Sequence, residues 1–387
     1  MDGLYVSLDH SISLLLLDSV PNVGIFPPEV GRLHIDGEHF YTENGELWQW
    51  RGFSCFLLFL RFCRGEDITP DLRWFRAQGV NIVRVFGPLP WKETPDYRYE
   101  HFNWDKLPEF FRLLETWGLR CNWSLFHYVP DIDYPNAYLQ SFAQAWFDIA
   151  QDFPLVVAEG VNEPHVGTKP DPIDALRGVD RHGVLTSYGY YKEAMDGQPG
   201  WPPTLDFGTG HWPRTDAWAR KARISQEAQH GTGKPWISDE PAKITEPGFQ
   251  YPGGKNDPLT TPHEAVWHAA ICQLWTAGFT LHTEEGKWGR APQPGMLQQT
   301  VADAVRDQVW LKINPLWQMG DYSGSHMGNS PVDDADTPDG DPIWTYSSAH
   351  DHKALSVRCY LSEPQAINGW RSVERWGPSY SIVRLER

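Results

Sequence analysis

From Asp71 onward the chain alternates between two hydrophobic periods. Apolar residues three and four apart at Asp71 to Gln78, Trp104 to Trp117, Leu139 to Ala150, Asp216 to His230, His263 to Trp275 and Leu297 to Leu311 predict amphipathic helices, and Gly79 and Gly118 close the first two. Between them run short segments that are apolar on both faces: Val80 to Gly87, Leu119 to Phe126, Pro154 to Ala158 continuing into Val161, Lys234 to Ser238, and Gly278 to Leu281. That is the pattern of strands buried in a parallel sheet. Thr204 to Phe207 leads into Gly210-His211-Trp212, and Val184 to Tyr191 is the weakest-marked strand, the fifth. Helices alternating with buried strands predict an α/β fold, here a closed (β/α)8 barrel.

Ahead of this region the period changes to two. Leu33 and Ile35, Asp36-Gly37, Phe40-Tyr41, Asn44-Gly45 and the alternating Leu47-Trp48-Gln49-Trp50 predict a β-hairpin leading into Arg51-Gly52-Phe53-Ser54. The apolar run Cys55 to Leu60 then predicts the first buried strand. At the other end Gly320 to Pro342 is rich in Gly, Ser, Asp and Pro, and strand-like segments follow at 343–346, 354–361, 367–373 and 380–385. The expected organisation is an N-terminal extension over 1–30, a barrel with its entry hairpin over 31–319, a linker over 320–342 and a small C-terminal β module over 343–387.

Length and composition agree with one large core, since 387 residues accommodate a barrel of about 250 residues plus appended elements. The 33 basic against 50 acidic side chains leave a formal net charge of −17, which disfavours nucleic acid and anionic membrane surfaces as partners. Twenty tryptophans, 15 tyrosines and 18 phenylalanines supply flat faces suited to the C–H faces of sugar rings, although large cores use aromatics too. The five scattered cysteines have no metal-binding or disulfide-framework spacing. The N-terminus lacks a basic region before its short apolar run, so no signal peptide is expected, and no stretch has the length of a membrane span.

Two glutamates stand where a parallel barrel displays catalytic groups, at the C-terminal ends of strands: Glu163 in Asn162-Glu163-Pro164 and Glu240 in Trp236-Ile237-Ser238-Asp239-Glu240-Pro241. Cleavage of a glycosidic bond with retention needs two carboxyl groups about 5 to 5.5 Å apart, one to protonate the departing oxygen and one to attack the anomeric carbon. Taken alone, Asn-Glu-Pro also reads as a helix start, with Asn as N-cap and Glu in the first turn.

On these residues the chain resembles the clan A glycoside hydrolases, most closely the family 5-like cellulases and mannanases, over roughly residues 31 to 290. The resemblance implies Glu163 as acid/base at the end of strand four and Glu240 as nucleophile at the end of strand seven. It further implies substrate-site roles for Arg84 on strand two, His127 ending strand three, Asn162 beside Glu163, and His211 on strand six. The clan usually carries a His-x-Tyr element on strand six; His211-Trp212-Pro213 matches its histidine but not its tyrosine, and Tyr188 or Tyr190 could supply the missing phenol. The tryptophan that usually ends strand eight is absent. Thr280-Leu281-His282-Thr283-Glu284-Glu285 stands there instead, which makes His282 a candidate substrate contact.

Trp91, Trp123, Trp212 and Trp288 are candidate stacking platforms, with core packing as the other reading of each. The acidic run Asp333 to Asp341 lacks the register of a calcium loop and reads as solvated. No metal or cofactor motif is present, and the resemblance implies an oligo- or polysaccharide as the partner. The expected activity is retaining hydrolysis of β-glycosidic bonds, with a glycan-binding barrel or a transglycosidase using the same glutamates as alternatives. Oligomeric state is not legible.

Overall fold

The computed structural model describes residues 24–89, 94–127, 134–162, 176–191, 205–211, 218–240, 244, 262–313, 342–350, 353–360, 371–376 and 382–386. Eight parallel strands close into a barrel: β4 (Trp50–Ser54), β5 (Ile82–Phe86), β6 (Arg120–His127), β7 (Val156–Asn162), β8 (Thr186–Tyr191), β9 (Gly208–His211), β10 (Trp236–Glu240) and β11 (Gly278–Leu281), which pairs back onto β4. Helices α2 (Thr69–Gln78), α3 (Lys106–Thr116), α4 (Asn136–Ala150), α5 (Trp218–Thr232), α6 (Pro262–Trp275) and α7 (Leu297–Val305) follow the predicted segments. Gly79 takes the left-handed conformation that ends α2, at φ 80°, where a side chain would be strained.

One expectation fails. Cys55 to Leu60 is not a strand; the first barrel strand is Trp50–Ser54, and the apolar run turns directly into helix α1 (Leu58–Cys63). Leu58, Phe59 and Leu60 are all buried, so the run is apolar because every face of this helix turn is covered. A short continuous apolar run has no period with which to separate strand from buried helix. The helix expected from Leu297 to Leu311 is present with a π-helical turn inside it: α-helical to Val305, π over Arg306–Trp310, and α-helical again over 311–313.

The hairpin and the barrel share a core. Strands β1 (Leu33–Asp36), β2 (His39–Thr42) and β3 (Leu47–Trp48) form an antiparallel sheet whose Leu33, Phe40 and Trp48 pack with Trp50, Ile82, Val157, Phe207 and Ile237 of the barrel. Phe40 meets Phe207 edge-on at 5.3 Å and Trp48 at 5.7 Å. These barrel residues lie within one residue of strand starts, so the hairpin closes the N-terminal end and leaves the C-terminal end for chemistry. A larger core fills the space between strands and helices; Trp123 is buried there between Phe111 and Trp146, which makes it a packing residue rather than a stacking platform.

The C-terminal strands β12 (Pro342–His350), β13 (Lys353–Tyr360), β14 (Arg371–Trp376) and β15 (Ile382–Glu386) form an antiparallel sheet in the order β12-β13-β15-β14. The segments expected as an N-terminal extension and a linker lie largely outside the described residues, which begin at Gly24 and skip 314–341. No helix among the described residues is long and apolar enough to cross a membrane.

Candidate active site

The C-terminal half of the barrel interior holds an unusual concentration of charge. Arg84, in the middle of β5, is 1% exposed and reaches three carboxylates. Its Nη1 lies 2.5 Å from Glu240 Oε1, its Nη2 2.7 Å from Glu159 Oε2, and its Nε 2.8 Å from Asp239 Oδ2 and 3.0 Å from Glu159 Oε2. Nη2 also donates to Asn162 Oδ1 at 2.5 Å. The guanidinium carbon sits 5.0 Å from the Phe86 ring centroid and 5.3 Å from that of Phe56, within cation–π range. A buried charge of this kind persists only with partners and hydrogen bonds around it.

Two β-bulges make the convergence possible. On β10, Ser238 pairs with Gly210 and Glu240 with His211, so Asp239 is an extra residue against β9. On β7, Glu159 pairs with Ser187 and Asn162 with Gly189, so three steps along β7 match two along β8. Neighbours in a regular strand point to opposite faces, and so do residues three apart; an inserted residue reverses the parity. Asp239 and Glu240 therefore both reach Arg84, as do Glu159 and Asn162.

His211, at the end of β9, completes the cluster. Its Nε2 lies 3.3 Å from Glu159 Oε1 and 3.7 Å from Asp239 Oδ2, while its Nδ1 lies 3.7 Å from Glu240 Oε1. Burial works against charge on this ring, but Glu240, Asp239 and Glu159 outweigh both burial and the repulsion of Arg84, and the imidazole is held protonated well above its ordinary 6.5. Glu240 shows the mirror image. Burial would raise its carboxyl, and the charges of His211, Arg84 and His282 overcome this and hold it well below the ordinary 4.5. Of the three carboxylates on Arg84, only Glu240 has exposed side-chain surface, 10% against 0% for Glu159 and for Asp239.

Of the residues singled out in the sequence, the structure thus brings together Arg84, Asn162, His211 and Glu240. His282, one residue beyond β11, is buried with its ring 5.2 Å from Phe56 and acts on the charge of Glu240. His127 ends β6 in register with Asn162, its ring edge-on to Phe86 at 5.4 Å. Tyr188 is buried and packs among core residues. Glu163 and Trp212, like Trp91, lie outside the described residues; they follow Asn162 and His211 directly in the chain.

Sequence reading missed Glu159 and Asp239. The signal for Glu159 was a single carboxylate inside the otherwise apolar Val156-Val157-Ala158-Glu159-Gly160-Val161, since a charge in a strand buried on both faces requires a partner. Asp239 gave none, because alternation assigns it to the face opposite Glu240. Glu159, His211 and Asp239 each present a ligand atom within 4.8 Å of the others, a set able to hold a cation. Arg84 already lies against both carboxylates, and its guanidinium supplies the positive charge such a cluster needs.

The sequence matches no protein-family model and no curated protein. Solved structures with the same fold are numerous. One described as a glycoside hydrolase has 15% identity and a TM-score of 0.62 over 85% of this chain and 83% of its own. A family 5 glycoside hydrolase from Bacteroides vulgatus has 14% identity and a TM-score of 0.61 over 92% of both chains. A beta-glucanase from Saccharophagus degradans, in complex with cellotetraose, has 14% identity and a TM-score of 0.51 over 79% of this chain and 97% of its own. What the chain shares with them is the fold, a closed barrel of eight parallel strands.

Proposed function

We propose that this chain is a retaining glycoside hydrolase acting on β-linked oligo- or polysaccharides, with Glu240 as nucleophile and Glu163 as acid/base. The observation that carries the reading is the state of Glu240: an ionised, partly exposed carboxylate at the C-terminal end of the seventh barrel strand, held by Arg84 and facing His211. A nucleophilic carboxylate must be charged and reachable, and the two others on the same guanidinium are sealed from solvent. The shared architecture with glycoside hydrolases, one of them holding a glucan fragment, supports the substrate class.

In the first step Glu240 attacks the anomeric carbon, the bond to the departing oxygen breaks, and Glu163 gives that oxygen a proton. In the second, water adds to the anomeric carbon, Glu163 takes its proton, and the bond to Glu240 breaks. Arg84 and His211 then meet the returning negative charge on Glu240. Asn162, fixed by Arg84, is a candidate hydrogen-bond partner for the sugar hydroxyl next to the reacting carbon.

The test is hydrolysis of aryl β-glycosides and β-linked polysaccharides by the wild type, Glu163→Ala and Glu240→Ala, with azide added to the variants. The expected products are a β-glycosyl azide from Glu163→Ala and an α-glycosyl azide from Glu240→Ala. A wild type that binds glycans but cleaves nothing points to a binding module, and transfer to an added sugar in place of water points to a transglycosidase. Full activity in Glu240→Ala rejects the nucleophile assignment.

A further inference from the structure

Glu159 does not fit the two-carboxylate scheme, yet four side chains converge on its two oxygens. Its Oε2 accepts from Arg84 Nε at 3.0 Å, from Arg84 Nη2 at 2.7 Å and from the Ser124 hydroxyl; its Oε1 accepts from Thr209 Oγ1 at 3.2 Å and lies 3.3 Å from His211 Nε2. Side chains from β5, β6 and β9 thus converge on one carboxylate that is fully buried and out of reach of any sugar. The approach of His211 depends on Gly189 in β8. A Cβ at that position would stand 2.4 Å from Glu159 Oε1 and 2.7 Å from His211 Cε1, so only the absence of a side chain lets the ring and the carboxylate meet.

We propose that Glu159 is a positioning residue for the reaction: it fixes the orientation of Arg84 and His211, the two cations that face Glu240. This rests on the glycosidase reading given above. A guanidinium is a rigid planar fork, so an edge held through Nε and Nη2 on Glu159 aims the remaining Nη1 at Glu240. A carboxylate on one imidazole nitrogen sets which nitrogen carries a proton toward it and leaves the other, Nδ1, directed at Glu240.

The reaction cycle gives a reason for a second carboxylate. Glu240 is an anion before attack and a neutral ester in the covalent intermediate, so its attraction for His211 disappears halfway through turnover. Glu159 keeps its charge throughout. It holds the His211 proton and ring orientation while Glu240 is esterified, so the same cation faces Glu240 when that bond breaks. Among the described residues, the charged groups facing His211 include Arg84 from β5, Glu159 from β7, and Asp239 and Glu240 from β10, with His282 acting on Glu240 from beyond β11.

The experiment combines imidazole-nitrogen NMR titration of His211 with steady-state kinetics of the wild type, Glu159→Gln, His211→Asn and the double variant. In the wild type His211 is expected to carry protons on both nitrogens at pH 7. Glu159→Gln is expected to lower its titration by at least about one pH unit. The same variant should reduce kcat about 10- to 100-fold, the scale of losing an orienting partner, with KM changed less than about threefold. Because part of the effect of Glu159 passes through His211 and the rest through Arg84, the double variant should lose less than the product of the two single losses. A neutral His211 at pH 7 in the wild type overturns the proposal whether or not Glu159→Gln folds. So does a folded Glu159→Gln with unchanged kcat, or losses that multiply in the double variant. An inactive wild type fails the glycosidase reading itself, whereas an active wild type with an unaffected Glu159→Gln fails this inference alone.

Discussion

Arg84 Nη1 stands 2.5 Å from Glu240 Oε1 and ties the second barrel strand to the seventh across the barrel mouth. The same guanidinium serves Glu159 and Asp239, so its removal would leave three inward-facing carboxylates sharing one histidine. Uncompensated buried charge is costly, and Arg84→Met is expected to lose about 3–5 kcal/mol of stability. Arg84→Lys keeps the charge but offers a single ammonium in place of a fork and cannot reach the same set of acceptors. It should fall between wild type and Arg84→Met in urea midpoint. An Arg84→Met protein as stable as the wild type would mean that the carboxylates take up protons or water at little cost.

The opposed shifts of Glu240 and His211 define a pH window for stability. The carboxyls of Glu240 and Glu159 are depressed in the folded protein, so their contribution is complete above the ordinary 4.5 and is lost as pH falls through their folded values. His211 is raised, so its contribution is complete below 6.5 and is lost as pH rises through its folded value, well above 6.5. The cluster therefore stabilises most between about pH 4.5 and 6.5, with a gradual decline on the alkaline side. Thermal melts across pH should show that decline in the wild type and a shallower one in His211→Asn. Equal alkaline slopes would show that His211 does not titrate in this way.

Much of this site follows from the sequence because a parallel barrel sends strand ends to one mouth. Knowing only that Arg84 lies in a strand and that Glu240 and His211 end strands is enough to bring them together. What escaped depends on two inserted residues. Strand periodicity is strictly two, so alternation alone puts Asp239 on the face opposite Glu240 and Glu159 on the face opposite Asn162, and the bulges reverse both. A bulge in a parallel pair leaves no mark in a single sequence beyond a polar residue at an improbable parity. The misreading of Cys55 to Leu60 has a different cause, since a run buried on all sides carries no period at all.

Gly189 gives a steric test of the same cluster. Gly189→Ala would set a methyl group 2.4 Å from Glu159 Oε1 and 2.8 Å from His211 Nε2, and one of the two must move. The backbone here is not in the left-handed region, so alanine is tolerated by the strand itself and the effect is confined to the contact. We expect a folded protein with kcat reduced at least about tenfold, the scale seen when an orienting contact is lost. Circular dichroism and kinetics on one preparation decide this, and wild-type turnover in Gly189→Ala would mean that the His211–Glu159 contact is dispensable.

At the far end of the barrel a second buried ion pair does work unrelated to the site. Glu29 Oε2 accepts from Arg120 Nε at 2.9 Å and from Trp48 Nε1 at 2.7 Å, while Arg120 Nη1 and Nη2 donate to the carbonyls of Gly31 and Val30. Arg76 holds the carbonyl of Phe26, and the Arg51 guanidinium lies 4.1 Å over the Phe26 ring. Residues 26 to 31 are thereby stitched across the strand starts, beside the hairpin. Glu29→Ala leaves Arg120, which has no exposed side-chain surface, without its counter-charge. The expected cost is about 3 kcal/mol, the scale of breaking a buried pair from one side. Because the contacts lie at the end of the barrel opposite the Arg84 cluster, kcat and KM should stay within about twofold of wild type. Denaturant melts and kinetics on the same variant separate the two effects: a stable Glu29→Ala would make the pair ornamental, and a stability loss with altered KM would mean that strain at the strand starts is transmitted along the barrel to Glu240.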